Sequence, residues 1–190
     1  MKKFWEISKK PLVIGVIATI LYLIDALIGG LFVEGGSFMW VGFAFWTVFF
    51  GSSVKDRIKG LIGAIIGFLA AILMMLITSS FSLNVVTISI SCMIGVFVVN
   101  ALVMYFEKAE KFWMNSITGI FVGIWLSFSG LGVGLSPIAN FQQFGIMLAI
   151  IVVYGILGLL CAYFSIFFFN KCTSKQVVKE NNNKEQSEDK

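Results

Sequence analysis

The sequence contains no histidine, and only 13% of its 190 residues are charged. Histidine is the commonest general base and metal ligand in proteins, so its absence removes many catalytic and metal sites. The three cysteines, Cys92, Cys161 and Cys172, form no C-x-x-C pair, which argues against a zinc site or a disulfide framework. No P-loop or nucleophile–base motif is present. We therefore predict a protein that is not an enzyme and holds no metal or cofactor.

Apolar residues are abundant instead, at 58% of the chain, and the mean hydropathy is +0.95. A soluble domain usually has about 45–50% apolar residues and about 25% charged residues. The excess predicts an integral membrane protein whose first partner is the lipid bilayer. The net charge of +4 comes from basic residues that flank the apolar segments, a pattern that sets membrane orientation. We see no nucleic-acid-binding pattern.

The apolar residues form six segments, and we predict an all-α fold with six transmembrane helices. The first segment, at ~1.5 Å per residue, is about 33 Å long, enough to cross a hydrocarbon core of ~30 Å. The second and fifth are shorter, near the lower limit for a span. The segments cover residues 12–33, 37–53, 58–78, 83–106, 112–129 and 141–170.

The positions of the 14 Lys and Arg residues predict the topology. Because basic residues concentrate on the cytoplasmic side, six crossings with both termini inside explain every one of them. If the second segment were a re-entrant hairpin, the basic residues of 55–59 would fall outside. We expect residues 1–10 to be a cytoplasmic N-terminus and the polar tail 171–190 to be a disordered cytoplasmic segment. All 14 lie in 1–10, 55–59, 108–111 and 171–190.

The two halves of the chain, at about 11–80 and 83–170, share a pattern of long, short and long segments. Counted along the chain, residues 11–106 hold the first four predicted helices, and residues 107–170 hold the fifth and sixth. Three crossings in each half invert the second half relative to the first. We therefore predict two inverted three-helix repeats, an arrangement typical of secondary transporters.

Three polar side chains within the apolar segments are candidate site residues. Asp25 is the acid of the first segment, and insertion scales put the cost of a charge at a helix centre at about 2.5–3.5 kcal/mol. Asn100 occupies the matching place in the fourth segment, and Tyr22 lies one turn before Asp25. We predict that Asp25, Asn100 and Tyr22 line a substrate or proton pathway. A structural interpretation stays open, in which Asp25 bonds Asn100, Tyr22 or a backbone group of another helix.

Small residues recur at helix-packing spacing in the third and fifth segments. Gly63 and Gly67 lie four residues apart, as do Gly119 and Gly123. Such faces let helix backbones approach closely in a membrane. Packing and pathway lining use the same residues, so the sequence leaves both open. The glycine faces also favour a homo-oligomer, because 190 residues make a thin bundle.

A family resemblance rests on two motifs. Trp40-Val-Gly42-Phe43 leads through an aromatic helix to Lys59-Gly60, and Thr118-Gly119-Ile-Phe121-Val-Gly123 follows in the second half. In these motifs the chain resembles the YcdZ-like bacterial inner-membrane proteins, a family of unknown function, over residues 12–168. The family often has a proline where Thr118 stands here. The resemblance implies a multi-pass location in a bacterial inner membrane and brings no catalytic residues.

The sequence thus supports two hypotheses about function. The first is a channel or transporter for a small solute of unknown identity, which passes between the two halves and is linked to protons through Asp25. The second is a non-transporting assembly or sensor subunit that acts through helix–helix contacts. A stable partner complex would favour the second, and solute flux that depends on Asp25 would favour the first.

Overall fold

The computed structural model describes residues 2–80, 93–99, 101–102, 105 and 116–188, with side chains from 11 to 171 within those ranges. Every regular element in these ranges is helical. A short 3₁₀ turn, Gly29–Leu31, extends the first helix. The helices are α1 (Lys2–Ile28), α2 (Met39–Val48), α3 (Val54–Ser80), α4 (Ile117–Gly132) and α5 (Phe141–Glu188).

Polar residues placed just before three helices explain where those helices begin. The Ser53 hydroxyl accepts a hydrogen bond from the Asp56 N–H at 3.2 Å before α3. Ser116 accepts from the Gly119 N–H at 3.2 Å before α4, and Asn140 plays the same part for α5. Each satisfies an N–H that has no partner within the helix. Helix α2 differs, because Phe38 before it has no side-chain cap of its own.

Three helical stretches in the described part of the chain are long and apolar enough to cross a membrane. They are Pro11–Leu31, Val54–Ser80 and Phe141–Lys171, and they agree with the first, third and sixth predicted segments. These helices suggest a membrane-embedded protein. The short helix α2 has 10 residues, or about 15 Å, which is half of a hydrocarbon core. Six complete crossings therefore stay a prediction.

Helices α2 and α5 run side by side in the same direction. At the start of α2, the Phe38 ring lies 6.0 Å from the ring of Tyr154, measured between centroids. Near its end, the Trp46 indole N–H donates to the Ser165 hydroxyl at 3.1 Å. From the first pair to the second, the residue numbers increase on both helices, so the two helices are parallel. Helix α1 runs antiparallel to α2, because Asp25 lies beside Phe38 and the earlier Leu21 lies beside the later Gly42.

Helices α3 and α4 form the closest pair in the described structure, and they also run parallel. A Cβ added to Gly119 would meet the Gly60 carbonyl, and one added to Gly123 would meet the Ala64 carbonyl. The matching order of the contacts fixes the common direction. Backbone lies directly on backbone here, which only glycine permits.

Helices α3 and α5 run antiparallel, and together with α2 and α4 they form the largest buried cluster in the described residues. The Arg57 guanidinium lies 5.8 Å from the Tyr163 ring at one end, and the Phe68 and Phe144 rings are 5.2 Å apart at the other. The cluster includes Phe45 of α2, which is fully buried. Helices α1, α2 and α3 alternate in direction, α4 runs parallel to α3, and α5 runs antiparallel to both. This order is compatible with the six-crossing prediction, which places one further crossing between α3 and α4.

The fourth segment and the C-terminal tail differ from the other predicted segments. Most of the fourth segment, 83–106, lies outside the described residues, although 93–99 is helical and Gly95 lies against Met74 and Ile77 of α3. The backbone of α5 continues to Glu188, where the sequence predicts a disordered tail from 171. The tail is rich in Lys, Glu and Gln, which are good helix formers, and it propagates a helix that is already nucleated.

Candidate functional site

Asp25 lies on the buried face of α1, although it is an acid within an apolar helix. Its exposed fraction is 3%, and Leu21 one turn earlier is fully buried. Ile17 and Gly29 complete this face at intervals of four residues. Spacing of four keeps side chains on one side of a helix, so Asp25 points toward α2 and α5.

The Asp25 carboxylate accepts three hydrogen bonds, each from a different residue. Its Oδ2 accepts from the Ser37 hydroxyl at 2.5 Å, and its Oδ1 accepts from the Phe38 backbone N–H at 2.8 Å and from the Tyr154 hydroxyl at 2.5 Å. We call these four residues the Asp25 cluster. An ionised carboxylate only accepts, so three converging donors fit its anionic form.

The bond to Phe38 explains how α2 begins without a cap from its own sequence. Asp25 of α1 accepts from the backbone N–H just before Met39, which is the role of a helix cap. The N-terminus of a helix carries a partial positive charge that favours an anion. One side chain therefore satisfies the start of α2 and fixes that helix to α1.

Glycines in the connection between α1 and α2 allow this approach. A Cβ added to Gly29 would lie 2.5 Å from the Gly36 carbonyl oxygen and 3.2 Å from Asp25 Oδ1. Gly35 has a φ of 69°, a conformation that suits glycine. The Gly36 N–H donates to the Val33 carbonyl at 2.8 Å. The connection folds back tightly and presents Ser37 and Phe38 to Asp25.

Aromatic rings enclose the bond between Tyr154 and Asp25. Tyr154 is fully buried. Its ring centroid is 6.1 Å from that of Phe32 and 6.0 Å from that of Phe38. Apolar surroundings strengthen a hydrogen bond and raise the cost of leaving a partner unpaired. Breaking the cluster without replacement is therefore expensive.

The structure gives Asp25 neighbours that the sequence did not predict. Tyr22 is 55% exposed and lies on another face of α1. Asn100 lies outside the described residues. Of the partners considered from the sequence, the backbone group is present, through Phe38. Tyr154 was missed, although it is a tyrosine near the middle of a long apolar segment and its hydroxyl needs a partner there.

The four glycines predicted for packing or pathway lining all lie in helix contacts. Gly63 is buried against α4, where an added Cβ would be 2.8 Å from the Ser116 carbonyl oxygen, and Gly67 lies against the backbone of Ile120. Gly119 and Gly123 lie against α3. The chain's own helices therefore cover these faces.

Comparisons with known proteins add no identity to this geometry. The chain matches no family model, no curated protein and no solved structure. The resemblance to the YcdZ-like family and the bacterial inner-membrane location therefore stay predictions. The three long apolar helices are compatible with a membrane protein.

Proposed function

We propose that the protein is a multi-pass membrane channel or transporter for a small solute, with Asp25 as a proton-linked switch. The observation that carries the proposal is the Asp25 cluster, because one buried carboxylate holds α1, the start of α2 and α5 together. Intramembrane acids are costly and mark ion, proton or substrate pathways in many transporters.

Protonation of Asp25 changes the hydrogen bonds within the Asp25 cluster. The carboxylate accepts from Ser37, Phe38 and Tyr154 at once. A protonated carboxyl group brings a donor of its own into a site that already holds three donors. At least one existing bond must then break or reverse. The remaining bonds would also weaken, because a neutral carboxyl group is a poorer acceptor than a carboxylate. In this proposal, protonation of Asp25 loosens the contact of α1 with α2 and α5 and opens a path between the helices.

The packing of the short helices supports the proposed inverted repeat. Helix α2 of the first half lies parallel on α5 of the second, and α4 of the second half lies parallel on α3 of the first. Glycine makes both contacts close, since an added Cβ at Gly158 would meet the Gly42 carbonyl just as Gly119 meets Gly60. A two-fold axis in the membrane plane would exchange these two pairs, and such axes occur in transporters.

The long helices carry related spacings at these contacts. Small residues of α3 occur at Gly60, Gly63 and Gly67, and those of α5 occur at Gly155, Gly158 and Ala162, with the same intervals of three and four. This repeated spacing supports an internal duplication.

The alternative is an assembly or sensor subunit that contacts a partner through its glycine faces. It needs those faces to be exposed on the outside of the bundle. Gly63, Gly67, Gly119 and Gly123 are buried by α3 and α4 against each other. They do not supply that surface, and a homo-oligomer would have to use other residues. We therefore retain the transport proposal.

Flux in proteoliposomes tests the proposal with Asp25→Asn. The variant keeps the shape of the side chain and removes the proton-binding group. We expect flux of a small neutral or anionic solute to be lost, or to stop responding to a pH gradient. Glu34→Gln is the matched control, because Glu34 is an exposed acid close to the same connection, and it should retain normal flux.

The outcomes separate the mechanisms. Flux that needs Asp25 and follows the gradient indicates a proton-linked transporter, whereas flux that needs Asp25 without gradient dependence indicates a channel. Normal flux in Asp25→Asn would remove Asp25 from the mechanism. Absence of flux for every solute in wild-type protein would overturn the transport proposal.

A further inference from the structure

A second buried charge lies at the opposite end of the bundle. Arg57 is in the first turn of α3 and is only 6% exposed. Its Nε atom is buried and has no hydrogen-bond partner among the residues that the structure describes. The neighbouring Asp56 is exposed, and its carboxylate accepts from the Ser53 hydroxyl at 2.6 Å. A buried cationic donor without a partner is costly.

Arg57 lines a groove between α3 and α5. The groove has a volume of about 380 Å³, within the ~300–1,000 Å³ typical of ligand sites. The Arg57 guanidinium lies 5.8 Å from the Tyr163 ring. We call this cavity the Arg57 groove. The rest of its wall is apolar and includes Val54, Ile58, Leu61, Ile156 and Leu160.

We propose that the Arg57 groove binds an anionic phospholipid. The phosphate would accept hydrogen bonds from the Arg57 guanidinium, and an acyl chain would lie against the apolar wall. Guanidinium groups suit phosphate because they offer several donors in one plane. A basic pocket between membrane helices is a known form of headgroup site.

The position of the groove favours a lipid over a free phosphate ion. Ile58, Ile156 and Leu160 are 44–46% exposed and lie on helices long and apolar enough to cross a membrane. Lipid chains therefore reach this wall. Arg57 lies at the start of its span, the depth at which headgroups meet hydrocarbon. Only an amphiphile satisfies the cation and covers the apolar wall together.

Native mass spectrometry of the purified full-length protein tests the site. The probe is phosphatidylglycerol, with phosphatidylcholine of the same chain length for comparison. We expect phosphatidylglycerol to bind the wild-type protein, and Arg57→Gln to weaken that binding about tenfold, which corresponds to ~1.4 kcal/mol. Lys55→Gln removes the same charge from an exposed position in the same turn and should bind nearly as well as the wild type.

A second variant addresses the apolar wall without touching the charge. Ile156→Trp adds bulk at a half-exposed position in the groove and should weaken phosphatidylglycerol binding while the circular dichroism spectrum stays unchanged. Inorganic phosphate should not compete. Equal losses in Lys55→Gln and Arg57→Gln, equal binding of phosphatidylcholine, or competition by inorganic phosphate would each overturn the proposal.

Discussion

The two ends of the bundle each bury one charged side chain, Asp25 at one end and Arg57 at the other, and they differ in the hydrogen bonds that they give it. Asp25 is 3% exposed and accepts from three donors of the chain. Arg57 is 6% exposed, and within the described part of the chain its Nε has no hydrogen-bond partner. The two charged side chains are buried to a similar degree, but they differ in how many of their polar atoms have hydrogen-bond partners in the described structure. A buried charge that is fully bonded holds its own structure together, and one that is not has capacity left for a ligand.

Local structure explains this difference. Asp25 lies beside a tight connection that presents a hydroxyl and a backbone N–H, and Tyr154 completes the set. Arg57 lies between α3 and α5, where the other described side chains that line the groove are apolar apart from Tyr163. A connection supplies many polar groups, and helix faces supply few because their backbone groups are already bonded.

The largest effect should come from removing the charge that is satisfied. Asp25→Ala leaves the Ser37, Phe38 and Tyr154 donors without their partner, at a cost of about 1–3 kcal/mol for each buried donor. We expect at least ~3 kcal/mol of lost stability, or a melting temperature lower by roughly 6–12 °C. Thermal unfolding in one neutral detergent measures the shift.

Glu34→Ala provides the control, because it removes an exposed acid from the same connection. Its effect should be close to zero. If the two variants shifted the melting temperature equally, the Asp25 cluster would not stabilise the bundle.

An intermediate effect is expected from a single bond of the cluster. Tyr154→Phe keeps the ring between Phe32 and Phe38 and removes one donor from the carboxylate. Loss of a hydrogen bond to a charged group costs about 1.5–3 kcal/mol. The melting temperature should fall by less than in Asp25→Ala.

Tyr163→Phe makes the same chemical change at the other end of the bundle. Tyr163 is 45% exposed, so the loss of its hydroxyl should leave the melting temperature nearly unchanged. A larger loss in Tyr163→Phe than in Tyr154→Phe would reverse the contrast between the two ends.

The sequence predicted the three long apolar helices and one member of the site. The third segment was predicted at 58–78 and forms α3 at Val54–Ser80. Asp25 was identified because an acid is rare in an apolar helix. Its partner Tyr154 was not identified, since it is 129 residues away in the chain and only the packing of α5 on α1 brings it close.

Arg57 illustrates a different limit. In the sequence it counts as one basic residue of a charged turn, useful for predicting orientation. Its burial depends on how α5 crosses α3 beside Tyr163. The glycine faces were visible in the sequence as a spacing, and the structure shows which residues they contact, such as Ala64 beside Gly123.

The smallest effect, and the one that depends most on the solvent, should come from Arg57→Met. Methionine keeps much of the side-chain volume and removes a charged group whose Nε is unpartnered in the described ranges. Replacing buried ionic groups by well-packed apolar side chains is often neutral or stabilising, because burying a charge is itself costly. In neutral lipid we therefore expect a change below about 1 kcal/mol, of either sign. In nanodiscs that contain phosphatidylglycerol the wild-type protein gains stability from binding, and Arg57→Met does not, because a ligand stabilises the state to which it binds. Melting curves of both proteins in both lipids measure this difference. A wild-type melting temperature that ignores phosphatidylglycerol would mean that Arg57 is satisfied without a lipid, and the two ends of the bundle would no longer differ.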